Sequence, residues 1–341
     1  MSSMTPMTTM TTMTTMTKRR VVIIGSGPAA YTAAVYAARA ELKPLILAAS
    51  GADPKIGIPG GQLMLTTEVE NYPGFPEGVT GPEMMELFRK QAERFGTQVV
   101  YADATEADVA SRPFRIRTVK DAYLADALII ATGAAAKWLE LESEKRLQNR
   151  GVSACATCDG ALFRGKAMGV VGGGDTAMEE ALFLTRFATK VTVIHRRSEL
   201  RASKIMQERA FRHEKIEFLW DSEVVEVLGE SYVQGVRVRN RVTNEESDLA
   251  LDALFIAIGH EPRSGLFEGK LDMDEQGYIR VQQGTRTSVE GVFACGDVMD
   301  KLYRQAVTAA GTGCMAAIDA ERWLAEHEAE HSSTAVSEAR P

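Results

Sequence analysis

Membrane-length apolar runs are missing from this chain: no stretch approaches the ~18–20 uninterrupted residues a bilayer span needs, so no membrane role is expected. Basic residues are not in excess either. Asp and Glu number 46 against 39 Lys and Arg, a formal net charge of -7, whereas a nucleic-acid partner calls for clustered cations. Cysteine is scarce. Cys155, Cys158, Cys295 and Cys314 are too few for a disulfide-scaffolded secreted domain, and no secretory signal precedes them. A reducing, cytoplasmic setting is therefore expected, where a lone C-x-x-C serves redox chemistry or metal binding.

With 341 residues, 45% of them hydrophobic, the chain is long enough for two domains with separate cores. Residues 1–17 form a low-complexity run of Met, Thr, Ser and one Pro and are expected to be disordered, as are residues 331–341. An organellar transit peptide would share the leader's lack of acids. It would also carry arginines and an amphipathic pattern, which the leader lacks.

Val21 to Ile24 read as a short buried strand that runs into Gly25-Ser26-Gly27-Pro28-Ala29-Ala30 and an alanine-rich helix to about Ala40. Strand, G-x-G-x-x-A turn and helix together suit a pyrophosphate, which meets tight backbone and a helix N-terminus. The design recurs at Ala167 to Val171, followed by Gly172-Gly173-Gly174-Asp175-Thr176-Ala177 and a helix to about Phe187. A second repeat accompanies it: the apolar strand Asp126 to Gly133 is echoed by Asp252 to Gly259. Gly291 to Asp297 and the small-residue helix from Ala306 to Cys314 then return to complete the first domain, which makes the second an insertion. The fold class is α/β, with two Rossmann-like dinucleotide-binding domains.

The second strand of each unit discriminates the nucleotides. After Lys190 to Ile194 come His195-Arg196-Arg197 and then Arg201, at the place about twenty residues past the fingerprint where an acid would hold the ribose of NAD. Cations there suit the 2′-phosphate of NADP. The first unit has Ala48-Ala49 instead, so FAD is the natural occupant, with Gly60-Gly61-Gln62 and Glu70 to Gly74 as loops that could line the flavin.

Cys155-Ala156-Thr157-Cys158-Asp159 lies just before the second fingerprint. A zinc site needs four ligands, usually from a second C-x-x-C or a paired His. Cys295 and Cys314 are single and read as small buried hydrophobes, so no metal is expected. The redox reading is preferred, with a thiol pKa lowered at a helix start and Asp159 as a proton source.

From about Lys18 to Glu328 the sequence resembles the low-molecular-weight thioredoxin reductases of bacterial, fungal and plant type. The resemblance rests on GSGPAAYTAA, GGQL, VENYPGF, ATGA, CATCDG, GGGDTAMEEA, HRRSELRAS, GVFACGDV and YRQAVTAAGTGCMAA. It implies an oxidoreductase, a homodimeric flavoprotein that reduces thioredoxin with NADPH. Residues 18–136 and 266–330 would form the FAD domain, and 137–265 the inserted NADPH domain carrying the redox-active disulfide. Ser26, Gly27, Pro28, Ala29, Gln62, Asn71, Asp297, Arg304, Gln305 and Ala306 would hold FAD. Gly172, Gly174, Asp175, Thr176, Ala177, His195, Arg196, Arg197 and Arg201 would hold NADPH. Hydride would pass from NADPH to FAD and on to the disulfide, with Cys158 facing flavin, Cys155 exchanging with thioredoxin and Asp159 as the acid. The two domains would rotate against each other about hinges near Gly133–Trp138 and Gly259–Gly265. The leader and Cys295, where a small apolar residue is expected, depart from the family pattern.

Three alternatives stay open. A reductase serving another disulfide protein would be expected to carry an appended redox domain or use a different partner. A ferredoxin-driven relative would lack the arginine cluster. A nucleotide-binding redox sensor without turnover would lack a flavin bleached by NADPH.

Overall fold

The apolar run before the first fingerprint forms the buried end of β1 (Met16–Ile24), and Pro28 opens α1 (Pro28–Arg39) at a position where a missing amide is harmless. The computed structural model describes residues 16–53, 55–66 and 68–338, with side chains to residue 328. After α1 come β2 (Leu45–Ala48), β3 (Gln98–Tyr101), β4 (Ala104–Asp108), β5 (Phe114–Thr118) and β6 (Ala122–Ile130).

The chain then crosses into a second unit: β7 (Val152–Ser153), the single turn α2 (Ala156–Asp159), β8 (Ala167–Val171), α3 (Asp175–Leu184), β9 (Lys190–Ile194), β10 (Ile216–Leu219) and β11 (Ala253–Ile256). It returns as β12 (Val292–Ala294) and α4 (Ala306–Glu338).

The sheet of the first unit runs β3-β2-β1-β6-β5-β4. Along one edge of β6, Phe114 of β5 faces Ala125 in an antiparallel ladder, and farther on Val292 of β12 faces Leu128 in a parallel one. Side chains alternate across the sheet. Val21, Ile23, Ala127 and Ile129 pack on the alanines of α1 and α4, while Val22, Ile24, Leu128 and Ile130 pack on Phe114, Ile116 and Phe267. Burial on both faces explains why these strands read as continuous apolar runs. The second unit repeats the scheme with an all-parallel sheet, β7-β11-β8-β9-β10. Met168, Val170 and Phe255 pack on α3, and Val171, Leu254 and Ile256 pack toward Val224 and Val236 of an antiparallel three-stranded sheet.

By contacts the first unit comprises the chain up to Leu65, Pro82–Gly133 and Pro262 onward; the second comprises Thr66–Gly81 and Ala134–Glu261. The second is thus inserted in the first, and both crossovers fall a few residues earlier than expected. Strands Ala134–Ala136 and His260–Pro262 of these crossovers pair with each other. Thr66–Gly81, expected with the FAD domain, groups instead with the second unit. Its ladder, Glu68 with Thr80 and Val69 with Val79, is internal to the hairpin, so the first sheet does not hold it.

Both expected chain ends also differ. Met16 and Thr17 belong to β1, facing Ala122 and Tyr123, because β6 is long enough to extend the ladder past the charged residues. Residues 1–15 lie outside the described residues. At the other end α4 continues through His331 to Glu338, although that segment holds three Ser and a Thr; it extends a helix already formed from Ala306, and adding a turn costs far less than starting one.

The small residues of α4 let a backbone approach. A Cβ at Gly313 would overlap the carbonyl oxygen of Ala29 in the first turn of α1. Gly313→Ala is therefore expected to destabilise the protein by ~1–3 kcal/mol through overpacking. Thermal melts check this; an unchanged melting temperature would contradict the packing argument.

Candidate redox centre and nucleotide sites

Ser153 ends β7, held opposite Phe255 of β11, and Cys155 follows as the N-cap of α2. Buried Ala156 anchors that turn in the core of the second unit. Cys155 and Cys158 form a disulfide with Cα atoms 5.3 Å apart; Cys155 is half-buried and Cys158 exposed. The amides of Cys158 and Asp159 both donate to the Cys155 carbonyl, at 3.2 and 3.1 Å. α2 is only one turn long, so the dipole expected to act on the thiols is that of a few peptides.

Asp159 follows Cys158 directly and is tied to Cys155. Ser153 Oγ donates to its Oδ2 at 2.6 Å and accepts from the Cys155 amide at 3.0 Å, tying the carboxyl to the backbone of the sulfur-bearing residue. Burial pushes the Asp159 carboxyl above the usual carboxylate range, and the Ser153 bond opposes that rise. Ser153 was not among the residues singled out from sequence; a serine two positions before a cysteine is unremarkable until β7 places it.

In the second unit, Gly174 caps α3, and a Cβ there would meet nothing within 4 Å, which leaves an open cradle at the helix start. First-turn amides of a helix have no partner within the helix, so those of Asp175, Thr176 and Ala177 suit an anion there. Ala177 itself is buried in the core, and the Asp175 carboxylate already accepts from the Ser203 amide and hydroxyl at 2.7 and 2.8 Å. Arg196, Arg197 and Arg201 are exposed and have no ion pair among the described residues. His195 is buried instead, only 4% exposed.

In the first unit the fingerprint, the Gly60–Gln62 loop, Asp297 and the start of α4 converge. Ser26 Oγ accepts the Gly60 amide at 3.0 Å, and Thr312 Oγ1 accepts the Gly296 amide at 2.9 Å. A Cβ at Gly27 would meet nothing within 4 Å, so the turn is open like that of the second unit. Gln62 is exposed in the 3-10 turn Gly61–Leu65. Arg304 has left-handed backbone (φ 48) and donates to the Lys301 carbonyl; the Gln305 amide group donates to Tyr303 and Arg304 carbonyls just before Ala306 begins α4. Asn71 lies between the two strands of the hairpin Glu68–Val69/Val79–Thr80, which groups with the second unit.

Two buried polar atoms at this cradle lack a partner: Asp297 Oδ1 and Thr132 Oγ1. Burial, assisted by Asp300, pushes the Asp297 carboxyl up to about 7. Polar atoms left like this match a hydroxyl-rich ligand such as the ribityl chain of FAD, and the residues present fit that group. Thr132 was missed from sequence, where it reads as the end of an ordinary strand.

Asp297 has a measurable consequence for the flavin-free protein. Its folded pKa is raised, so the stability it confers is fully present below about 4 and is lost as pH rises through about 7. Urea unfolding of flavin-free wild type should therefore lose stability relative to Asp297→Asn between these values, by roughly 4 kcal/mol at most. Parallel pH profiles for the two proteins would refute the burial of this carboxyl.

Cys295 is fully buried, and burial pushes its thiol up to about 12, so it is inert as expected. Cys314 departs from expectation: it is half-buried on α4, near enough to the Tyr36 hydroxyl to push that group's pKa up. Among the described residues no cluster of three or more His, Cys, Asp or Glu could hold a metal ion, and no helix is long and apolar enough to cross a membrane.

Residues 19–313 match the family described as pyridine nucleotide-disulphide oxidoreductase. The thioredoxin reductase of Streptomyces coelicolor is 54% identical over 327 residues, covering 93% of this chain and 99% of that protein. The bifunctional thioredoxin reductase/thioredoxin of Mycobacterium leprae is 52% identical over 320 residues, covering 93% of this chain and 68% of that protein. Among solved structures, the thioredoxin reductase from Giardia duodenalis superposes with a TM-score of 0.85 at 44% identity, covering 91% of this chain and 99% of that one. With two open nucleotide cradles and a disulfide beside a protonatable carboxyl, the chain belongs to the pyridine nucleotide-disulphide oxidoreductase family, among its thioredoxin reductases.

Proposed function

We propose that this protein is an NADPH-dependent thioredoxin-disulfide reductase that works as a cytoplasmic homodimer with one FAD per subunit. The observation that carries the reading is the Cys155–Cys158 disulfide with Asp159 beside it, in the same unit as the fingerprint flanked by Arg196, Arg197 and Arg201. Ser26 to Ala29, Gln62, Asn71, Asp297 and Arg304 to Ala306 hold FAD in this reading, while Gly172, Gly174 to Ala177 and the three arginines hold NADPH. Bound FAD supplies the two-electron relay between NADPH and the disulfide.

The chain's own groups do the rest. Two electrons break the Cys155–Cys158 bond, and the burial of Asp159 lets it hold a proton for one of the two thiolates released. Cys155 as thiolate attacks one sulfur of the partner disulfide, forming a mixed disulfide and expelling the other sulfur. Cys158 then attacks Cys155, re-forms the internal disulfide and releases the partner as a dithiol. The unit that carries the dithiol re-orients during turnover through the paired crossovers at Ala134–Ala136 and His260–Pro262. The M. leprae relative, a reductase joined to a thioredoxin, supports thioredoxin as the partner class.

The test is NADPH oxidation by the purified flavin-loaded protein with and without oxidised thioredoxin, repeated with NADH. Thioredoxin-dependent turnover with strong preference for NADPH is expected. Turnover independent of thioredoxin, or equal with NADH, would sink the reading.

A further inference from the structure

We propose that His195 is a positioning residue rather than a phosphate ligand: its imidazole is wedged between Gly173 of the fingerprint and the loop carrying Arg196, Arg197 and Arg201, and sets the frame in which those arginines meet the 2′-phosphate of NADPH. The proposal deepens the reading of this unit as the NADPH site and rests on it.

The backbone of His195 continues β9, between β8 and β10, its amide donating to the Leu219 carbonyl at 2.9 Å and its carbonyl accepting the Ser222 amide at 3.0 Å. The side chain turns inward. A Cβ at Gly173 would overlap the imidazole ring, so the middle glycine of the fingerprint is what makes room for it. Nε2 lies 3.0 Å from the Glu199 carbonyl oxygen; a carbonyl only accepts, so Nε2 carries the hydrogen. The ring stands edge-on to Trp220, with centroids 6.3 Å apart and planes at 80°.

The same loop is strapped to the fingerprint from its other end. The Gly173 carbonyl accepts the amides of Arg201 and Ala202 at 2.7 and 3.1 Å, and Ser203 closes on Asp175. The Arg196 carbonyl accepts from Arg241 Nη1 at 3.4 Å, and the Arg197 carbonyl from the Asp221 amide at 3.3 Å. The main chain of all three arginines is therefore held while their guanidiniums stay exposed. His195 is the one member of the motif whose polar atom is spent inside the loop.

Its charge state agrees with this role. Burial lowers the pKa of the imidazole, the three facing guanidiniums of Arg201, Arg197 and Arg196 lower it further, and only the bond to Glu199 opposes them. Protonating His195 would add a fourth cation beneath three others.

The test uses flavin-loaded protein and measures NADP⁺ dissociation constants by calorimetry for wild type, His195→Gln, His195→Ala and Arg197→Gln. Glutamine returns an N–H donor near the place of Nε2. His195→Gln should bind within about 3-fold of wild type, and His195→Ala at least ~10-fold more weakly, as a loop released from its wedge would. The ratio of wild-type to His195→Gln affinity should stay constant from about pH 6 to 8, a comparison in which titration of the phosphate itself cancels. A ratio that grows as pH falls would show a charged imidazole on the phosphate and overturn the proposal; so would wild-type binding by a folded His195→Ala. If His195→Ala does not fold, the pH comparison with His195→Gln still decides. Arg197→Gln should weaken NADP⁺ by roughly 10-fold or more, the loss of one charged hydrogen bond. Undiminished binding there would overturn the NADPH assignment itself, which separates that failure from a failure of the positioning role.

Discussion

Replacing Cys158 with serine is expected to lower thioredoxin reduction by on the order of 10³-fold or more, equivalent to ~4 kcal/mol of barrier, and to trap the partner covalently. Without Cys158 the pair has no second thiol to resolve a mixed disulfide at Cys155. Cys155→Ser should be equally inactive yet trap nothing, because the attacking sulfur is gone. Each variant is incubated with reduced or oxidised thioredoxin after mild oxidation and examined on a non-reducing gel, where a band at the combined mass marks the adduct. Both sulfurs are accessible enough for this to be a fair contest, Cys158 being exposed and Cys155 half-buried. An adduct formed by Cys155→Ser and not by Cys158→Ser would reverse the division of labour between them. Normal turnover by either variant would remove the pair from the chemistry altogether.

Asp159→Asn is expected to slow the formation of the dithiol by roughly 10²–10⁴-fold, the usual range for a lost general acid. Asparagine keeps an oxygen to accept from Ser153, so the local backbone should be preserved. The pH dependence gives the sign. The Asp159 pKa is raised by burial, so the proton-donating form persists above the ordinary aspartate range and is lost as pH rises through the raised value. The wild-type rate should fall along that limb, and the limb should be missing in Asp159→Asn. Ser153→Ala removes the hydrogen bond that favours the charged carboxylate, so it should move the limb to higher pH. Single-turnover rates across pH check all three; a limb that stays put in Asp159→Asn would assign it to another group.

Much of the site was legible from short patterns. The two fingerprints, the repeated apolar strands ending at Gly133 and Gly259, and the C-x-x-C followed by Asp159 are local signals, each spanning fewer residues than one element and its turn. Their reading needs only backbone geometry, alternation and the chemistry of a residue type. The arginine cluster stands out for the same reason, by its distance along the chain from Gly172, and its role toward NADPH is the proposal above. The ends and the hairpin were less so. Composition marks Met16 and Thr17 as leader, but an available ladder on β6 recruits them; composition says nothing about whether Thr66–Gly81 packs with the residues before it or with those of the other unit.

Sequence by itself pointed to two α/β units, each opened by a glycine fingerprint, one inserted in the other, with a C-x-x-C and an arginine cluster in the inserted one. Tertiary structure alone decided how the individual groups are poised. Ser153 holds the Asp159 carboxyl, His195 turns under Gly173 while its neighbouring arginines face water, Gly313 admits the backbone of Ala29, and Asp297 keeps a buried carboxylate oxygen, Oδ1, without a partner. The physical reason is common to all four. Burial and hydrogen-bond pairing shift pKa values and fix side-chain direction, and both arise from contacts made only when the chain is folded; for Gly313 and His195 those contacts join residues far apart in sequence.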